Sequence, residues 1–236
     1  MITENKQPLF EKLFYLYDRR LIQKHFSAVH MHNNSIYTDD AALFYVNHSN
    51  WWDGLLIYFL NKHWFRHPGY VMMDEEGLRE FPFFRRLGAY SVNRSSRRDV
   101  INALRYTEDK LVNGHHVWLF PQGAETHADQ FPITLQPGIS YLLPRVDVPF
   151  VPVTMHYTFL HHQKPEIFIN IGPPLPRTPE NLASRAAAQD ALERHLQHQW
   201  DEMREDIAYE HLENYTTVLK GSQTMSSWWT SLRQKK

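Results

Sequence analysis

The sequence predicts an α/β fold in which a mostly buried central sheet is flanked by helices. Short apolar runs alternate along the chain with segments of helical spacing, an order that builds a sheet with helices packed on its faces. The runs at 41–46, 70–73, 89–92, 117–120, 150–155 and 167–171 are strand-sized and bounded by Pro, Gly or Asn. Between them, 53–62, 75–87, 98–112 and 137–143 read as helices.

Helical patterns also stand at both ends. From Leu9 to about Ser27, apolar Phe10, Leu13, Phe14, Tyr17 and Leu21 recur with charges between them, predicting an amphipathic helix. After Gly172-Pro173-Pro174 the composition changes. Thr178-Pro179-Glu180 then combines a capping hydroxyl, a first-turn proline and a first-turn acid. Leu192, Leu196, Trp200, Met203 and Ile207 continue one apolar stripe, so a long helix is expected to about Tyr215, followed by a loose tail from Lys220. The expected organisation is an N-terminal helical region over 1–35, an α/β core over 36–176, and a C-terminal helix with flexible tail over 177–236.

Composition narrows the function. The chain of 236 residues has a formal net charge of −1, so no global field favours nucleic acid. It contains no cysteine, which removes disulfides, zinc–thiolate sites and cysteine nucleophiles. No run approaches the ~18 apolar residues that span a bilayer, and MITENKQPLF does not read as a signal peptide. A cytoplasmic address with peripheral contact to a membrane surface is expected. The 15 histidines include His30/His32, His115-His116 and His161-His162, none in a metal-ligand spacing such as His-Glu-x-x-His, so no metal is expected.

The sharpest signal is Asn47-His48-Ser49-Asn50-Trp51-Trp52-Asp53, which follows an apolar run and precedes a helical pattern. That puts His48 where a strand ends and Asp53 where a helix begins. Asp53 alone reads as a favourable helix-start acid, and His48 alone as an ordinary polar residue. Together they permit a pair in which the carboxylate holds the imidazole's tautomer and stabilises its protonated form. Phe120-Pro121-Gln122-Gly123-Ala124-Glu125-Thr126 also follows a strand, with glycine allowing close backbone approach to a ligand. Gly88 to Arg94 is a strand ending in arginine, and Val151-Pro152-Val153 is a buried strand carrying proline.

In order and spacing these four segments resemble the blocks of the glycerolipid acyltransferase family that includes lysophosphatidic-acid acyltransferase. His48 to Asp53 is similar to its His-four-residues-Asp block, and Phe120 to Thr126 to its Phe-Pro-Glu-Gly block. The resemblance covers roughly residues 40–172. It implies His48 and Asp53 as the catalytic pair, with Asn50, Arg94, Phe120, Pro121, Gln122 and Gly123 around the substrate. It further implies a lipid acceptor, an acyl thioester donor on coenzyme A or acyl-carrier protein, and no cofactor. The family usually carries glutamate where Gln122 stands and arginine where Glu125 stands, and its third block and second-block arginine help hold an acceptor phosphate. A neutral, for example glycosylated, acceptor is therefore expected to serve better than lysophosphatidic acid. Two other readings compete, a metal hydrolase and a non-catalytic lipid-binding module. The second would suit the amphipathic start and the Trp228-Trp229 pair, but gives no reason for a His–Asp pair at a strand end.

Overall fold

The structure is a computed structural model that describes residues 1–33 and 40–222. One eight-stranded sheet organises it. Its strands are β1 (Ala28–Asn33), β2 (Leu43–Val46), β3 (Gly69–Asp74), β4 (Ala89–Val92), β5 (His116–Leu119), β6 (Phe150–Thr158), β7 (Glu166–Ile171) and β8 (Thr216–Lys220). Their spatial order is β4-β3-β5-β2-β6-β7-β1-β8. Strands β2 to β6 are parallel. Strand β7 turns back against β6, β1 runs parallel to β7, and β8 antiparallel to β1.

The helices are α1 (Pro8–His25), α2 (Trp52–Leu60), α3 (Glu75–Glu80), α4 (Arg97–Val112), α5 (Gly138–Leu142), α6 (Pro179–Leu182) and α7 (Arg185–Ala208). They enclose the sheet from both sides, and β2 shows it residue by residue. Phe44 and Val46 pack with Ile22 of α1 and Leu56 and Phe59 of α2. Leu43 and Tyr45, on the opposite face, share a core with Leu104 of α4, Ile139 of α5 and Leu192 of α7. All four β2 side chains are fully buried, as expected of a parallel strand covered on both faces.

The expected helix over 75–87 is two pieces. Phe81 precedes Pro82 and leaves the helical conformation, and a 3₁₀ segment, Pro82–Leu87, follows. The long C-terminal helix is also divided: Ser184 accepts a hydrogen bond from the Ala187 N–H and starts α7 afresh after α6. Helix α7 ends at Ala208, short of Tyr215, and the chain returns to the sheet as β8. Strands β1 and β8 thus join the central sheet from segments expected to lie outside the core. The Trp228-Trp229 pair falls outside the described residues. Among the described residues no helix is long and apolar enough to cross a membrane.

Helix α1 forms where its spacing predicts, yet it buries a different face. Its buried residues are Glu11, Asp18 and Ile22, while Leu9, Leu13, Leu16 and Tyr17 are exposed. Each exposed leucine forgoes the roughly 1.5–3 kcal/mol that burial would contribute. Glu11 is met by Lys6 at 2.9 Å and by Lys62. Asp18 is fully buried, and neither of its oxygens has a hydrogen-bond partner. Burial therefore pushes its carboxyl up to about 8.

This has a pH signature. The folded state keeps a proton on Asp18 that the unfolded chain releases above its ordinary value of 3.8. Stability is therefore full at acid pH and falls, by about 1.4 kcal/mol per pH unit, until the folded group itself ionises. An amide in its place cannot titrate, so the melting temperature of Asp18→Asn relative to wild type should rise progressively from about pH 5 to about pH 8. A difference that stays constant across that range would show that Asp18 is ionised in the folded protein.

Candidate active site

Strand β2 lies between β5 and β6, with Tyr45 paired to Leu119 and Val46 to Val153. The loops that leave β2 and β5 therefore emerge side by side at the carboxyl edge of the sheet, where open α/β sheets hold ligands. One loop carries Asn47 to Asp53, the other Phe120 to Thr126. Asn47 is buried and extends the ladder with its side chain. Its Nδ2 donates to the Met155 carbonyl at 3.1 Å and its Oδ1 accepts from the Met155 N–H at 2.7 Å. The chain leaving β2 is thereby held in register just before His48.

His48 and Asp53 come together as their spacing predicts. His48 Nδ1 lies 2.9 Å from Asp53 Oδ2. The same oxygen accepts the Ser49 N–H at 2.7 Å and the Asn50 N–H at 3.1 Å. Asp53 Oδ1 accepts the Tyr157 hydroxyl at 2.5 Å. Four donors thus meet a carboxylate that has no contact with solvent. Tyr157 is the partner that the sequence reading missed; it stands near the end of β6 with no motif around it. Its burial, reinforced by the Asp53 charge, holds the phenol well above its ordinary range, so it donates and does not ionise. With Nδ1 committed to Asp53, the proton belongs there and Nε2 is left as the acceptor. The His48 side chain is 21% exposed, and its Nε2 makes no hydrogen bond among the described residues.

The second loop holds the first by its backbone. The His48 N–H donates to Gln122 Oε1 at 2.6 Å, and the His48 carbonyl accepts the Thr126 N–H at 2.8 Å. Phe120 stacks on the imidazole at 4.3 Å between ring centroids. Pro121 is buried, and its carbonyl accepts the Gln136 N–H at 2.6 Å. Asn50 caps the local turn through Oδ1, which accepts the Trp52 N–H at 2.8 Å. Of the residues expected around the substrate, Asn50, Phe120, Pro121 and Gln122 all have such supporting contacts.

Arg94 approaches from farther away. It follows β4, two strands from β5, or about 10 Å across the sheet. Its side chain spans that gap: Nη1 donates to the Gly123 carbonyl, and Nε lies 3.4 Å from Asp74 Oδ1 at the end of β3. Gly123 has φ +80°, and a Cβ there would come within 2.9 Å of Gln136 Cγ and 3.2 Å of Arg94 Nη1. Only glycine suits this position. Glu125 is exposed on the same loop, and Arg97 and Arg98 are exposed at the start of α4. Among the described residues no group of three or more His, Asp or Glu side chains could hold a metal ion.

The family model described as Acyltransferase matches residues 28–156, more than half of the chain. The chain belongs to the acyltransferase family. No curated protein is matched by the sequence. The matched span contains both active-edge loops and ends at His156, one residue before Tyr157. In this acyltransferase the contact that Gln122 makes is one glutamate could also make, since both side chains offer an oxygen to the His48 N–H. What changes is charge. We therefore expect Gln122→Leu to lower kcat by about ten- to a hundredfold, because it leaves a backbone donor unpaired beside the imidazole. Gln122→Glu should lose far less. Equal turnover of the Leu variant and wild type would remove the clamp from catalysis.

Proposed function

We propose that this acyltransferase moves a fatty acyl group from a thioester, on coenzyme A or acyl-carrier protein, to the hydroxyl of an uncharged lipid. The observation that carries the reaction is the His48–Asp53 pair, with Nδ1 locked and Nε2 unoccupied. Nε2 of His48 takes the acceptor hydroxyl's proton as the oxygen attacks the thioester carbonyl. Asp53 stabilises the imidazolium that forms. The new C–O bond is completed as the C–S bond breaks, and the imidazolium returns its proton to the leaving thiolate. The attacking hydroxyl comes from the substrate, so no protein nucleophile is needed. Gln122 Nε2, which makes no hydrogen bond among the described residues, is available to donate to a substrate oxygen.

An apolar slot supports a fatty chain. It begins at Gly54, next to Asp53, and is lined by Ile57 and Tyr58 of α2, Val71 of β3, and Phe84 and Leu87. A Cβ added to Gly54 would meet nothing within 4 Å, so there is open space beside the buried carboxylate.

Three residues support an uncharged acceptor. Arg94 is directed to the Gly123 carbonyl and to Asp74, which opposes its charge. Glu125 adds a negative charge to the loop where the family carries a positive one. Gln122 is neutral. Its Oε1 is already engaged by His48, which corrects the expectation that the amide would both accept from and donate to a sugar; its donor half remains.

Competition between lysophosphatidic acid and a glycosylated or other uncharged lipid alcohol, with one acyl thioester, tests the acceptor. The uncharged lipid should be acylated preferentially, and Glu125→Arg should shift the preference toward the phosphate. A strong preference of the wild type for lysophosphatidic acid, unimproved by that substitution, would identify the phosphate lipid as the acceptor, with Arg97 and Arg98 as its ligands. In the same assay His48→Ala should lose about 10²–10⁴ in rate while remaining folded. Near-normal turnover would overturn the general-base role.

A further inference from the structure

Helix α1 spans 18 residues. Leu9, Leu13, Leu16 and Tyr17 recur at the spacing that puts side chains on one side of a helix. They are 72%, 59%, 44% and 58% exposed. The same side continues through Arg20 and Lys24, with Lys12 and Arg19 on its flank, and all four cations are exposed. The acids of the helix, Glu11 and Asp18, are both buried against the protein. The outer surface of α1 thus consists of an apolar half followed by a basic half, with no acid on it. A surface helix held only by its own core would show the reverse.

We infer that this face of α1 docks on a bilayer surface that carries acidic headgroups. The exposed cations call for an anionic partner, and the exposed leucines and tyrosine call for an apolar phase beside it; an acidic leaflet supplies both. A second copy of the same helix would satisfy the leucines but set four cations against four. The helix lies along the surface, since it lacks the hydropathy to cross a membrane. Its position suits a lipid enzyme. His25, the last residue of α1, has its ring 5.3 Å from Trp52, and Phe26 packs on the same indole at 4.8 Å. Trp52 directly precedes Asp53, and its neighbour Trp51 is exposed. The docking face therefore adjoins the mouth of the candidate site. The inference goes beyond the acyl-transfer reading and does not rest on it.

The test is flotation of the full chain with vesicles of phosphatidylcholine alone and of phosphatidylcholine mixed with phosphatidylglycerol. Binding should require phosphatidylglycerol and be released by high salt. Lys12→Gln with Arg20→Gln should weaken it by roughly thirtyfold. Leu13→Gln with Leu16→Gln should weaken it by about a hundredfold. All four side chains are exposed, so each double variant should keep the wild-type melting transition, and the two pairs test the surface independently. Equal binding to both vesicles, no binding to either, or full binding by both folded double variants would overturn the inference. So would a dimer in solution that the leucine pair dissolves, because α1 would then be covered by a second copy. Flotation reads no turnover, so a failed acyl-transfer assay leaves its result intact.

Discussion

A fully buried carboxylate must be met by hydrogen-bond donors, and the need to supply them to Asp53 shapes the centre of this protein. The donors come from three places. Ser49 and Asn50 supply backbone N–H groups only because the chain turns tightly between β2 and α2. His48 supplies Nδ1 from the head of that turn. Tyr157 supplies its hydroxyl from β6, which can reach Asp53 because β6 lies beside β2 and Asn47 locks the two strands through the Met155 backbone. The carboxylate in turn orients the imidazole. Removing one donor would strand part of a buried charge, so the turn, the strand order and the imidazole's tautomer are determined together.

The second loop reaches the same imidazole from the other side. Its contacts with His48 are to the backbone and the ring face, through Gln122, Thr126 and Phe120, and leave Nε2 alone. This separation explains how the family's glutamate can be replaced without disturbing the pair. An amide oxygen accepts the His48 N–H as a carboxylate oxygen would, while the negative charge disappears. Arg94 and Glu125 lie farther out, where a headgroup would sit. Substitutions there can alter acceptor choice while the base and its carboxylate stay as they are. Specificity and chemistry thus occupy different layers of one site.

Much of this was legible in the sequence, for physical reasons that also explain what was not. The parallel strands announced themselves because a strand buried on both faces must be apolar throughout, as 43–46 and 116–119 nearly are. His48 and Asp53 were legible because both belong to one short loop. Strand β1 was harder: Ala-Val-His-Met-His-Asn alternates Val29 and Met31 with histidines, a pattern easily absorbed into the end of the preceding helix. Strand β8 was hidden by α7, whose end carries neither glycine nor proline; Glu210 takes the left-handed conformation there with φ +55°. Tyr157 could not have been found, because its role depends on strand order, and strand order is a long-range property. The buried face of α1 was misjudged for a different reason. Apolar periodicity reports which side of a helix avoids water, but not which side the protein covers.

In α1 the two sides differ. Burying Glu11 and Asp18 while exposing three leucines is unfavourable for an isolated domain, and Lys6 and Lys62 offset only the Glu11 part of the cost. Asp18 has no such partner and remains as a protonated, unbonded carboxyl. A helix turned this way makes physical sense if its outer face meets something less polar than water and opposite in charge to its lysines and arginines. The packing beneath then gains a second role. Phe26, just beyond α1, packs against Trp52 and lies 6.0 Å, ring to ring, from Tyr157, which donates to Asp53. A surface helix, an aromatic layer and a buried carboxylate follow one another in direct contact. Material leaving a lipid surface at α1 would have to travel only the width of that layer to reach His48.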